Sequence, residues 1–276
     1  MSALPLPVSG PLAGAMAIEA RGLGKSYGQN WALRGVDLDV AASEVVAVFG
    51  ANGAGKSTLL GLLGTLFAPS CGTVHILGRD AIRDPQLVRG AIGVMMHQSY
   101  LYAELTAAEN LVLYARLYGL PDVKERVRDA LGSVGLLSVA GSRVRELSRG
   151  LQQRLALARC TIHKPAVLLL DEPESGLDAE GSRYLSQLIA AGRERGQAIV
   201  LATHQVELGL TLAQRVVILE GGKIARSAAV CEQSPGEWRA LYNQSSLSDR
   251  PVSARGRGSA SAARAGGQGL PAIPDP

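Results

Sequence analysis

The sequence predicts an α/β fold built on a mainly parallel sheet, and three observations carry that prediction. Runs that are apolar almost throughout, "EVVAVF" at 44–49, "AVLLLDE" at 166–172 and "AIVLAT" at 198–203, have the composition of strands buried on both faces. Segments of helical period stand between them: "STLLGLLGTL", "AAENLVLYARLYGL", "KERVRDALGSVGL" and "GSRYLSQLIAAGRERG". Strands alternating with helices imply parallel pairing through helical crossovers. Near the N-terminus, "AIEARGL" and "VDLDV" alternate instead like half-buried strands, which adds an antiparallel β subdomain to the parallel core.

Taken in order, residues 1–16 are expected to be disordered, with Met16 a candidate start. "YGQNWAL" is the turn of an N-terminal hairpin, and "GTVHILG" and "AIGVMM" are further short strands. An inserted α-helical subdomain is expected over roughly 84–160, inside a single domain spanning 17–228. "RVVILEGGKI" reads as strand, tight turn, strand, and residues 229–276 as a mostly disordered tail, rich in Ser, Ala, Gly, Arg and Pro from about Ser245.

Bulk properties narrow the function. The 276 residues carry a net charge of +4, part of it in the tail at Arg250, Arg255, Arg257 and Arg264, so no nucleic-acid partner is expected. Cys71, Cys160 and Cys231 lie far apart without metal-site spacing, which suits a reducing compartment. The N-terminus lacks the basic residues of a signal peptide, and no run approaches the ~20 apolar residues that span a bilayer.

"GANGAGKST", Gly50–Thr58, fits the pattern G-x-x-x-x-G-K-[ST] at Gly50, Gly55, Lys56 and Ser57, after a buried strand and before a helix. Glycines let backbone N–H groups from Gly50 through Asn52, Gly53, Ala54, Gly55 and Thr58 converge on phosphate oxygens, with a helix dipole behind them. Lys56 reaches the terminal phosphates and the Ser57 hydroxyl can ligate Mg²⁺. A plain glycine turn needs neither flank. The core is therefore expected to be that of a P-loop NTPase. Asp171, closing "AVLLLD", stands where such folds place a magnesium-orienting carboxylate, and Glu172 beside it could polarise the attacking water. Without the loop, that acid pair would read as a solvated turn.

Five further pieces complete a pattern: Tyr27 in "KSYG", Gln98 in "MMHQSYLYAELTAAENL", "LSRGLQQRLALAR" from Leu147, "SGLD" from Ser175, and "ATHQ" with His204. With the phosphate loop and the acid pair, their order resembles the nucleotide-binding subunit of ATP-binding-cassette transporters over about residues 17–224. The resemblance implies ATP and Mg²⁺, with Tyr27 stacking on adenine and Gln98 beside the metal, the water and the helical block. It implies Glu172 acting on the water, with Lys56 and His204 on the γ-phosphate, and the metal held by Ser57, Gln98 and Asp171. Asp178 would lie in the loop that crosses between subunits, and Ser148 and the Gly150 N–H would face the nucleotide of a second subunit across a head-to-tail dimer. That second subunit is a copy of this chain or a homologous ATPase.

The commonest signature reads LSGGQ; here Arg149 and Leu151 depart from it, so reduced but real hydrolysis is expected. His97, His75 and His163 are read as structural. The partner implied is a separate membrane permease, with this chain peripheral at the cytoplasmic face of the membrane. "HQSYLY" and "SRG…QQR" look like the ATP-binding subunit of the haem exporter of cytochrome c biogenesis, and similar stretches occur in drug, antibiotic and polysaccharide exporters. Non-transport members of the superfamily act on ribosomes or DNA through paired cassettes, coiled coils or zinc modules, none of which is visible in this sequence.

Overall fold

The computed structural model describes residues 15–248; the expectations of disorder for residues 1–14 and beyond 248 lie outside the described residues. An antiparallel hairpin opens the chain, β1 (Met16–Tyr27) and β2 (Asn30–Ala41), turning at Gly28 with φ +62°. β3 (Val45–Phe49) leads through the glycine loop into α1 (Lys56–Leu63), and β4 (Cys71–Ile76) and β5 (Arg79–Asp80) follow. Next come α2 (Pro85–Arg89), β6 (Ile92–Met95), and the helices α3 (Ala107–Leu117), α4 (Val123–Ser133) and α5 (Arg149–Thr161). The last third is β7 (Val167–Asp171), α6 (Ala179–Glu194), β8 (Ala198–Ala202), α7 (Val206–Leu212), β9 (Arg215–Glu220), β10 (Lys223–Ala229) and α8 (Pro235–Ser248).

Two sheets result. One is antiparallel with order β2-β1-β4-β5; the other has order β10-β9-β3-β8-β7-β6 and is parallel except for the β10–β9 pair. The larger sheet divides the core. Val45, Ala47, Phe49, Leu168, Leu170, Ile199 and Leu201 face one side, with α3, α5 and α6; Val46, Val48, Leu169 and Val200 face the other, with α1 and the antiparallel sheet. Covering both faces is why these strands are apolar throughout rather than alternating.

Three sequence expectations are corrected. Met16, expected within a disordered stretch over 1–16, opens β1 and pairs with Ala41. The helical insert does not begin at 84, because β6 lies within 84–160 and pairs in parallel with β7, Ile92 opposite Val167; the helices of the insert start at Ala107. The tail expected to be mostly disordered over 229–276 carries regular structure as far as Ser248. Ser234 and Glu237 satisfy each other's backbone N–H groups ahead of α8, and Pro235 occupies its first turn. Trp238 is fully buried, its Nε1 donating to the Val230 carbonyl at 3.1 Å, and Leu241 and Tyr242 pack against the same core.

His163 ties α5 to the sheet. Its Nε2 lies 3.0 Å from the Ile92 carbonyl, so the neutral ring carries its proton there, and the ring stacks on Tyr118 at 3.8 Å. Burial pushes its pKa down from 6.5 to about 4. An unfolded chain binds this proton near pH 6.5 and the folded one resists it to about 4. Stability is therefore whole above the unfolded value and declines as pH falls through that window, by about 3 kcal/mol at its foot. Thermal midpoints measured between about pH 7.5 and 4.5 should fall more steeply for the parent than for His163→Phe, which keeps the stack; parallel curves would overturn the assignment.

Candidate active site

β3 and α1 set the glycine loop against β9 and β2. A Cβ on Gly50 (φ +156°) would lie 2.5 Å from the Leu219 carbonyl, and one on Gly55 (φ +107°) 2.6 Å from the Ala32 carbonyl. Side chains at either position would lift the loop off the sheet. Lys56 is folded inward, its Nζ donating to the carbonyls of Gly50 at 2.7 Å and Ala51 at 3.0 Å. Above it is a cleft of about 190 Å³ lined by Asn52, Gly53, Gly55, Lys56, Ser57, Thr58, Ala32 and Glu172. Gly50 and Ala54 are buried and do not line it; Ala54 packs in the core.

The acids come from the end of β7. Asp171 is 4% exposed, and burial raises its pKa, opposed by a hydrogen bond from Ser57 and by the charges of Lys56 and His97. Glu172 has φ +47°, uncommon for a non-glycine residue, while its N–H still donates to Ala202 at 2.8 Å as if the strand continued. That twist turns the carboxylate toward the loop cleft. His204 follows β8, with Nδ1 3.6 Å from Glu172 Oε1 and both side chains partly exposed. Glu174 is buried; its Oε1 accepts from the Thr203 hydroxyl and its pKa is raised by burial.

Ser57 and Asp171 offer the hard oxygen donors that Mg²⁺ prefers. Among the described residues no cluster of three or more His, Cys, Asp or Glu could hold a metal alone. Magnesium at phosphates needs no such cage, because it keeps its waters and shares substrate oxygens. The donor set fits.

Glu172 also lines a second cleft of about 150 Å³ with His97, Ser99, Arg149, Gln152, Gln153 and Ser175. Ser148 caps α5 by accepting from Leu151 N at 3.3 Å, and a Cβ on Gly150 would come within 3.0 Å of the Gly176 carbonyl. The site of the missing signature glutamine is taken by Leu151, which packs against the core, while the Gln153 amide reaches the carbonyls of Pro173 at 3.2 Å and Glu172 at 3.4 Å. Asp178 caps α6 through Gly181 N at 2.7 Å and pairs with the buried Arg154 of α5 at 2.6 Å.

The structure thus brings Lys56, Ser57 and Glu172 together in the loop cleft; His204 does not line it but stands 3.6 Å from Glu172, and Asp171 is buried at the end of β7 just before Glu172. The structure does not bring in Ser148 or Gly150, which line neither this cleft nor its neighbour. Tyr27 is exposed at the hairpin turn, its ring 5.5 Å from Lys25 Nζ, and lines neither cleft. Gln98 is exposed and also lines neither; the adjacent His97, read as structural from sequence, lines the second. Sequence reasoning passed over Glu174, Thr203 and Gln153 as well. The third acid in "DEPE" was the available signal for Glu174.

Residues 33–175 match the family model described as ABC transporter. A Nod factor export ATP-binding protein of Paraburkholderia xenovorans is 37% identical over 77% of this chain and 71% of its own length. A methionine import ATP-binding protein of Caulobacter vibrioides is 38% identical over 75% of this chain and 65% of its own. A dimeric ATP-binding cassette in a post-hydrolysis state with ADP and Pi superposes with TM-score 0.72 at 29% identity, covering 77% of this chain and 98% of that one.

Proposed function

Because the chain belongs to the ABC transporter family, as its ATP-binding subunit, we propose that it hydrolyses ATP to drive a separate membrane permease. The observation that carries this is Glu172 lining the same cleft as Lys56 and Ser57, with His204 3.6 Å away. Loop N–H groups and Lys56 hold the phosphates. Glu172 takes a proton from the attacking water, and His204 and Lys56 stabilise charge that develops on the γ-phosphate. Ser57 and Asp171 would hold Mg²⁺, which neutralises phosphate charge when bound, and Gln98 is the further ligand that the family resemblance implies.

Ser148 and Gly150 lie outside their own chain's loop cleft, which supports their use in trans, in a two-fold head-to-tail dimer with a second copy or a homologous subunit. That a similar cassette was solved as a dimer supports a dimer here. Tyr27 would stack on adenine, and Asp178, at the start of α6, would lie at the dimer seam. Among the described residues no helix is long and apolar enough to cross a membrane. The family resemblance supports a permease in another chain, with this one peripheral at the cytoplasmic face.

For cargo, the "HQSYLY" and "SRG…QQR" forms support export of haem for cytochrome c biogenesis. The second reading is export of another class of molecule, favoured by the Nod factor relative; the methionine relative is named for import. Purification from native membranes in mild detergent tests all of this. A polytopic partner carrying haem is the expected result. A polytopic partner without haem moves the cargo to the second reading, and ribosomal proteins without a permease overturn the transport role.

A further inference from the structure

β7 and β8 are neighbours in register, Asp171 opposite Ala202, so the two turns that leave them start side by side. One carries Glu172 and the other His204. Between them lies a side chain with no role so far. Glu174 is 5% exposed, and its Oε1 accepts from the Thr203 hydroxyl, whose oxygen in turn accepts from Gln205 N at 3.0 Å. Thr203 is fully buried and its N–H donates to the Val48 carbonyl at 3.3 Å. Of the two chain neighbours of His204, Thr203 is therefore tied to the carboxylate directly and Gln205 through the Thr203 hydroxyl. Glu174 is itself held to its own turn, its carbonyl accepting from Leu177 N at 3.1 Å.

This arrangement is poor for stability alone. Glu174 Oε2 is buried without a hydrogen-bond partner among the described residues, and such groups are rare because desolvation is not repaid. An apolar side chain of similar size would fill the space without that penalty.

We propose that Glu174 is a positioning residue for hydrolysis: through Thr203 it fixes the turn carrying His204 against the turn carrying Glu172. The proposal rests on Glu172 and His204 acting together at the γ-phosphate. Their side chains are partly exposed and do not hydrogen-bond at 3.6 Å, so backbone placement sets their separation. A small slip of one turn past the other would misplace the pair without disturbing the loop that holds ATP.

The test is a double-mutant cycle on the full chain, with kcat, KM for ATP and thermal midpoint measured for each variant. Glu174→Met and Thr203→Val should each lower kcat on the order of tenfold, with KM unchanged and no fall in thermal midpoint. The double variant should lose no more than either single one, because both break the same link. Glu174→Gln and Thr203→Ser keep acceptor and hydroxyl and should restore most of the rate. Losses that add, or Thr203→Val at the parental rate, would overturn the proposal. If Glu174→Met does not fold, the Thr203→Val and Thr203→Ser pair decides alone. Glu172→Gln at the parental rate would remove the underlying reading instead; Glu172→Gln inactive beside a fully active Thr203→Val removes only this inference.

Discussion

Replacing Glu172 with Gln is expected to cut ATP turnover by a hundredfold or more, while nucleotide binding is retained and an ATP-bound dimer accumulates. The size of the loss follows from the role: a positioned general base is worth about 10²–10⁴ in rate. Glutamine keeps the shape and length of the side chain at the mouth of the loop cleft but cannot take a proton from water. It also removes a negative charge that faces the γ-phosphate, so the closed state with ATP should become longer-lived rather than weaker. Lys56, Ser57 and Asp171 are untouched, and the Gln153 amide contacts only the backbone carbonyls at 172 and 173, so the turn keeps its anchor. Size-exclusion chromatography with ATP, beside a steady-state phosphate assay, reads both effects. A variant that turned over at the parental rate would take Glu172 out of this role.

How much of this was visible in the sequence depends on how local each feature is. The interior strands were legible because burial on both faces leaves a chemical mark on every residue of β3, β7 and β8. The phosphate loop was legible because its chemistry sits in nine consecutive residues, Gly50–Thr58. The antiparallel sheet was legible only as its first hairpin, since β4 and β5 join it after α1 and nothing in "GTVHILG" says which edge it will meet. α8 had its signals, Ser234, Pro235 and Glu237 before Trp238, Leu241 and Tyr242, but the Ser- and Arg-rich text that follows drew the boundary too early. Glu174 escaped for a physical reason. A third acid after Asp171 and Glu172 looks like part of a solvated turn, and only the fold shows that it points inward at Thr203. His97 and Gln98 differ by one position past the end of β6, and composition does not say which side chain leaves the strand toward Glu172.

Replacing Ser148 with Arg is expected to abolish most ATP turnover in a dimer of identical chains, and the manner of its rescue distinguishes the two ways Ser148 can act. As an ordinary helix cap, Ser148 satisfies Leu151 N, and losing that bond costs about 1 kcal/mol. α5 is held by far more than its cap, with Leu155, Ala156, Leu157 and Ala158 fully buried, so the fold should survive. As a donor to the γ-phosphate held by another subunit, the same hydroxyl belongs to a preorganised anion site, where one missing donor lowers kcat by about 10²–10³. An arginine there also obstructs closure. Mixing then separates cis from trans. Lys56→Ala ruins the phosphate loop of its own chain and leaves its signature intact; Ser148→Arg does the reverse. In a head-to-tail mixed dimer both lesions fall in one composite site and the other site is whole. Random mixing of the two inactive chains should therefore recover about a quarter of the parental rate if the sites fire independently, half of the dimers each having one sound site. A cis role predicts no recovery at any ratio, because every chain would carry its own lesion into its own site.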